Sequence, residues 1–182
     1  DWSSDVCSSD LSTQSVKVLL CDYETGEIKK SITRPHPDGT EVDPIHWLNA
    51  LNDALNEAEE FGEIAAIAIG GQQHGMVLLD ATGEVIRPAL LWNDTRSDET
   101  AEQLNNEFPE IAKLTGSQLV ASFTAAKVRW VAENEPENIA KVAAICLPHD
   151  WLSWKISGSN NLEDLFTDRS DASGTGYFNP AR

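Results

Sequence analysis

Residues Ile64 to Arg96 read IAAIAIGGQQHGMVLLDATGEVIRPALLWNDTR, and this stretch decides the fold. Its first run, Ile64 to Ile69, is continuously apolar and bounded by turn residues, the pattern of a buried strand. Gly70-Gly71 ends it, and with no side chains there another group can approach the backbone closely. Gln72, Gln73 and His74 follow at once. Met76 to Leu79 starts a second strand, Asp80 to Gly83 turns the chain, and Glu84 to Arg87 leads through Pro88 into a third apolar run, Ala89 to Trp92. That run also stops in polar residues: Asn93, Asp94 and Arg96. Two buried strands thus each deliver a polar cluster at the carboxyl end, where open α/β sheets bind ligands.

Before this stretch, Val16 to Asp22 and Ile28 to Thr33 form a hairpin around a turn at Glu24 to Glu27. Residues 1–9, DWSSDVCSS, show neither period and read as a non-native leader, so the domain is expected to span 10–182. Asp43 and Pro44 open a helix on which Trp47, Leu48, Leu51, Ala54, Leu55 and Ala58 recur at helical spacing. After the central stretch, one helix carries Ala101, Leu104 and Phe108 and ends at Leu114-Thr-Gly116. Another starts at Thr124, and a short one spans Glu137 to Lys141. Val142 to Leu147 reads as a buried strand. Pro148-His149-Asp150 then opens a helix through Ile156, closed by Gly158. Alternating strands and helices give an α/β fold with a partly parallel sheet.

The 182 residues suffice for one domain with a real core. Thirteen basic against thirty acidic residues leave a formal charge of −17, which argues against nucleic acid or an anionic membrane as partner. Cys7, Cys21 and Cys146 are odd in number and widely spaced, as in reduced cytoplasmic proteins. No apolar run is long enough to span a bilayer, and no signal peptide is visible.

Several side chains suit chemistry. Asp10, followed by Ser12 and Thr13, could hold a hydrated Mg²⁺ and admit phosphate oxygens, or could simply be a solvated turn. His74 can exchange hydrogen bonds with a hydroxyl, and Gln72 can bridge ligand and backbone; a structural histidine is the alternative. The Trp92 indole can pack on the C–H face of a sugar while Asn93, Asp94 and Arg96 take its hydroxyls. The same residues could be core and helix cap, and both roles can coexist. Asp168 and Asp171 could bind a cation or hydroxyls, or close a turn. Trp47, Trp130, Trp151 and Trp154 fit packing roles. His74, Cys146 and His149 have no zinc spacing, and neither GxxxxGK[ST] nor GxSxG occurs.

The run GGQQHGMVLLDATGEVIRPALLWNDTR resembles the sugar-site motif of the FGGY carbohydrate kinases, closest to their D-xylulose-phosphorylating, actinobacterial-type members. Asp10 to Lys17, DLSTQSVK, is similar to that family's phosphate loop, with Ser12 where glycine is usual. Leu114-Thr-Gly116, FTAAK at 123–127, LPHDWL at 147–152 and SDASGT at 170–175 follow in the family's order. The resemblance implies a ribonuclease H-like fold of the actin and hexokinase type, with this chain as the N-terminal lobe of a two-lobe, cytoplasmic sugar kinase. It implies ATP and Mg²⁺ as cofactors, held in part by Asp10, Ser12, Thr13 and Lys17, with Asp10 toward the metal. Gln72, Gln73, His74, Trp92, Asn93, Asp94 and Arg96 would serve the sugar, D-xylulose, and Asp168 would steady the neighbourhood. The general base, an aspartate, would lie in the second lobe, outside this sequence, so the chain alone is expected to be inactive; a homodimer of the full-length enzyme is also implied. Other FGGY kinases, for ribulose, glycerol or gluconate, remain open, as does a sugar-binding module without catalysis. A glycerol kinase would be expected to show Arg-Glu where this chain has Gln73-His74.

Overall fold

The computed structural model describes residues 5–59 and 64–181, and its first element is a strand, Asp5–Leu11 (β1). Asp5, Cys7, Ser9 and Leu11 turn inward and are almost wholly buried, while Ser8 and Asp10 face solvent. The period of two is therefore present. It escapes a hydropathy reading because three of the four inward residues are Asp, Cys and Ser. β1 is central: it pairs antiparallel with Ser15–Asp22 (β2) and parallel with Ile64–Gly71, giving the sheet order β3-β2-β1-β5, where β3 is Ile28–Pro35 and β5 is Ile64–Gly71. Residues 5–9 of the expected leader thus belong to the sheet; residues 1–4 lie outside the described residues.

The inward polar positions of β1 are not equally served. The Asp5 carboxylate meets Lys29 Nζ at 2.6 Å. The Ser9 hydroxyl is buried and has no hydrogen-bond partner among the described residues. Burying an unpaired hydroxyl costs about 1–3 kcal/mol. Ser9→Ala is accordingly expected to raise stability by about 1 kcal/mol, read as a higher urea midpoint at unchanged m. A lower midpoint would show that the hydroxyl does find a partner in solution.

β2 puts Val16, Val18 and Leu20 on the buried face, against Ile45–Glu59 (α1), whose Trp47, Leu51, Ala54 and Ala58 are fully covered. Asp43 Oδ1 accepts from Ile45 N at 3.0 Å, which fixes the start of α1. Glu41–Val42 (β4) pairs with Ala89–Leu90 (β7), and Val77–Leu79 (β6) pairs with Ala144–Cys146 (β8). β6 is buried on both faces: Val77 and Leu79 join the main core, Met76 and Leu78 a second cluster with Leu90 and Val131.

β5 behaves differently, and the expectation of a buried strand is corrected there. Among the described residues it pairs only with β1, and Ile67 is 40% exposed. An apolar run of this kind suits cover on both faces; the described residues supply it on one. The third apolar run does not end beside β5 in the same sheet either, because β7 sits in the separate ribbon with β4.

The expected helix from 98 to 116 is two: Asp98–Glu107 (α2) and Ile111–Thr115 (α3). Pro109 between them lacks an N–H and pushes Phe108 out of helical conformation. Thr124–Asn134 (α4), Pro136–Ile139 (α5), Pro148–Ile156 (α6) and Arg169–Ala172 (α7) complete the chain. Among the described residues Cys7, Cys21 and Cys146 are not joined by disulfides, and no helix is long and apolar enough to cross a membrane.

Candidate functional site

At the carboxyl end of β1 the ladder places Asp10 opposite Lys17 on one side and Gly70 on the other. Both charged side chains lie on the exposed face. The Asp10 carboxylate has no hydrogen-bond or ion-pair partner among the described residues. The next turn is closed by Ser12, whose Oγ donates to Ser15 O at 2.9 Å and accepts from Ser15 N at 3.2 Å. Its hydroxyl is spent on the turn; Thr13 Oγ1 instead accepts from Trp92 Nε1 at 3.3 Å. One contact therefore joins the expected phosphate loop to the expected sugar wall. Trp92 is 48% exposed, as a ring offered to a ligand must be.

Gly71 admits a neighbour as expected, but that neighbour is internal: a Cβ there would fall 3.1 Å from His149 Cβ and 3.3 Å from Leu11 Cβ. Gln72 follows, its N–H donating to Leu11 O at 2.8 Å. Its side-chain amide is buried with neither end bonded. Gln73 is exposed. His74 has φ +65°, the left-handed conformation. In a non-glycine residue this costs about 1 kcal/mol or more and recurs at functional sites. Thr124 Oγ1 holds the strained peptide by donating to His74 O at 3.1 Å. The ring rests 5.0 Å from the Phe123 ring, and on Gly174, where a Cβ would collide with it. Gly174 N–H is committed to Asp171 O at 3.1 Å, and His74 Nδ1 is enclosed with no hydrogen bond of good geometry among the described residues. Burial holds the imidazole pKa below its ordinary value, against smaller opposing effects of the Gly174 backbone and the Asp171 charge. His74 is thus a neutral donor and acceptor near pH 7.

The Met76–Leu90 bridge brings the two polar segments together, with His74 and Trp92 each two residues beyond it. The rings have different neighbours, Phe123 and Gly174 for His74, Thr13 for Trp92. Asn93 Nδ2 donates to Gly39 O at 3.3 Å, while its Oδ1 is buried and unpaired. Asp94 is buried and accepts from Arg96 N at 3.0 Å and Arg96 Nε at 2.8 Å. Burial opposes its ionisation, but the Arg96 donors outweigh this and keep the carboxyl below the usual carboxylate range. Arg96 also reaches Glu41 at 2.7 Å and stacks 5.1 Å above Trp130. It is fully engaged and acts as a brace.

Sequence reasoning missed three groups. Glu41 bridges Arg96 to buried Arg87, at 2.7 Å in each case. Lys127 is completely buried, and its Nζ donates to Asp94 O at 3.0 Å and Ala121 O at 2.7 Å. The FTAAK segment was a visible signal, but nothing in it marks the lysine as interior. His149 lies between Asp150, Asp168 and Asp171, which are adjacent only in the folded chain. Asp168 caps α7, its Oδ1 accepting from Asp171 N at 2.9 Å, and this bond holds its carboxyl below the usual range.

This mixed α/β fold has counterparts among known proteins. Residues 6–181 match the N-terminal domain of the FGGY family of carbohydrate kinases, and the chain belongs to that family. A xylulose kinase of Streptomyces coelicolor is 45% identical over 181 residues, covering 95% of this chain and 37% of the relative. The crystal structure of xylulose kinase from Bifidobacterium adolescentis superposes with a TM-score of 0.95 at 47% identity, covering 100% of this chain and 41% of that one. Plasmodium falciparum glycerol kinase superposes with a TM-score of 0.88 at 27% identity, covering 97% and 38%. The fold is the ribonuclease H-like one shared by these sugar kinases, and the chain spans little more than a third of the length of such relatives.

Proposed function

We propose that this chain is the sugar-binding lobe of an ATP-dependent cytoplasmic kinase that converts D-xylulose to D-xylulose 5-phosphate. The carrying observation is that both ends of the Gln72 amide, His74 Nδ1 and Asn93 Oδ1 are enclosed polar atoms without hydrogen-bond partners among the described residues. Buried polar groups are otherwise bonded almost without exception, and a polyol brings hydroxyls that can donate and accept. The half-exposed Trp92 supplies the apolar face that a sugar ring or chain needs. High identity to xylulose kinases across nearly the whole chain supports the ketose, and Gln73-His74 in place of Arg-Glu disfavours glycerol.

Asp10 fits Mg²⁺, which keeps most of its waters and takes one or two carboxylates plus phosphate oxygens. With Lys17 opposite on the same face, Asp10 and the Ser12–Thr13 turn would hold the phosphate end of Mg-ATP; the bound ion neutralises charge on the transferring phosphoryl. This lobe positions: Gln72 and His74 orient the ketose hydroxyls, Trp92 excludes water from one face, and the Arg96–Asp94 brace holds the segment that carries Trp92. None of these residues is placed to act as the general base.

Calorimetry on the 182-residue chain tests the reading. D-xylulose is expected to bind, D-ribulose more weakly, glycerol least. His74→Ala should weaken D-xylulose by about tenfold or more, the loss of about 1.4 kcal/mol. Gly174→Ala, which pushes the His74 ring from its seat, should weaken it similarly at unchanged circular dichroism. Undiminished binding in both variants would overturn the assignment of His74, and preference for glycerol would overturn the substrate.

A further inference from the structure

We propose that His36 is a positioning residue for the phosphate end of the nucleotide, a role that rests on the Ser12–Thr13 turn being the phosphate contact. It acts through the Ser12 carbonyl. Each ring nitrogen of His36 meets a main-chain carbonyl, Nε2 at 3.1 Å from Ser12 O and Nδ1 at 3.0 Å from Pro37 O. A carbonyl oxygen only accepts, so the Ser12 contact requires a proton on Nε2. The ring is held in place from two sides. His36 N–H donates to Gln14 O at 3.1 Å, one step past the β2–β3 ladder. The ring also stands edge-on to the fully buried Trp47, with centroids 6.5 Å apart.

What the contact fixes is a peptide plane. In a trans peptide the C=O and the following N–H point in opposite directions. With Ser12 O turned to the ring, Thr13 N–H is turned away from it. Among the described residues neither Thr13 N–H nor Gln14 N–H has a hydrogen-bond partner. Successive free N–H groups at a turn favour an anion, and these follow closely on Asp10, the carboxylate that suits Mg²⁺. The bonds inside the turn do not set this plane. Ser12 N and Oγ both donate to Ser15 O, and Ser15 N donates to Ser12 Oγ, so Ser12 O takes its partner from His36.

The same segment reaches the other half of the candidate site. Asp38 Oδ2 accepts from Gln14 Nε2 at 2.9 Å, Gly39 O from Asn93 Nδ2 at 3.3 Å and Thr40 O from Leu91 N at 2.9 Å. Residues 36–40 are thus a strap, tied by His36 to the phosphate turn and by Gly39 and Thr40 to the segment bearing Trp92. Removing the Nε2 contact loosens the first end and leaves the second tied. The effect therefore falls on the nucleotide and spares the sugar, a split that general destabilisation does not produce.

The test is titration of the ¹⁵N-labelled 182-residue chain with Mg-ADP, followed by NMR at the Thr13 amide, with D-xylulose affinity measured by calorimetry beside it. A glutamine amide nitrogen stands where Nε2 stood and an asparagine amide nitrogen where Nδ1 stood, so two variants separate the two contacts. His36→Gln is expected to stay within about twofold of the parent for Mg-ADP, and His36→Asn to bind it about three- to tenfold more weakly, the loss of one hydrogen bond. D-xylulose affinity should change by less than about twofold in both. Long-range ¹H–¹⁵N spectra of the parent ring should show Nε2 protonated. Undiminished Mg-ADP binding in His36→Asn would overturn the proposal, as would equal losses in the two variants, equal losses of nucleotide and sugar, or a ring protonated on Nδ1 alone. A parent chain whose Thr13 amide does not respond to Mg-ADP would instead overturn the assignment of the turn to phosphate, and the role of His36 with it.

Discussion

Gly83→Ala is expected to cost about 2–5 kcal/mol, a large part of what a domain of this size possesses. Two separate effects add. Gly83 has φ +82°, and an L-residue in that region loses about 1–2 kcal/mol. A Cβ there would also stand 2.7 Å from Trp154 Cη2. Trp154 cannot retreat cheaply: it is fully buried in the main core, and its Nε1 donates to Asn161 O at 2.9 Å. Overpacking of this kind costs about 1–3 kcal/mol. The turn itself is held by Asp80, whose Oδ1 accepts from Thr82 N, Thr82 Oγ1 and Glu84 N, so the backbone is not free to relax. Gly116 provides the control, since it has φ +88° with nothing within 4 Å of its would-be Cβ. Gly116→Ala should lose only the conformational part, about 1–2 kcal/mol. Trp154→Phe combined with Gly83→Ala should recover the packing part in a double-mutant cycle of urea midpoints. Equal losses for the two glycines would show that Trp154 yields and that the steric argument is wrong.

How much of this was legible depends on whether a residue's type announces its place. Met76 to Leu79 reads as a strand and Ala89 to Trp92 as a buried run; the first is buried throughout and the second as far as Leu91, while Trp92 is 48% exposed. The start of α1 was legible because Asp43 and Pro44 do local jobs. β1 was not, since Asp5 and Ser9 point inward and only Lys29, across the sheet, makes the first of them tolerable. β5 misled in the opposite sense: its isoleucines ask for cover that the described residues provide on one face only. Of the candidate site, Gln72, His74 and Trp92 could be picked out because each is a polar or amphipathic group at the end of an apolar run. Their individual neighbours could not. Trp92 meets Thr13 and His74 meets Gly174, residues 79 and 100 positions apart in the chain. The His149 cluster was hidden for the same reason, since Asp168 and Asp171 join it only after the chain passes through the Leu162–Asp164 turn and returns.

Lys127 carries the second large expectation, and it is one of pH as well as magnitude. Its ammonium is wholly buried between Asp94 O and Ala121 O, and burial pulls its pKa down to about 8. An unfolded lysine keeps its proton to about 10.4. Between these values the unfolded chain holds a proton that the folded chain has released, so stability rises with pH there. One group acts in the other direction. Burial pushes the Cys146 thiol up, which lowers stability once the unfolded thiol ionises near pH 9. The rise due to Lys127 should therefore be visible between pH 8 and 9, at about 1 kcal/mol. Lys127→Met fills most of the space without a charge, so it should change stability little at pH 7 and abolish the rise. Lys127→Ala opens a cavity and strips Asp94 O of its donor, at a cost of about 3 kcal/mol or more. Ala121 O is spared, because Ser97 Oγ also donates to it at 2.9 Å. The consequence reaches the candidate site, since Asp94 anchors Arg96 and the segment bearing Trp92 and Asn93. A Met variant that still gains stability from pH 8 to 9 would assign the effect to another group; an Ala variant as stable as the parent would mean that the buried ammonium organises nothing.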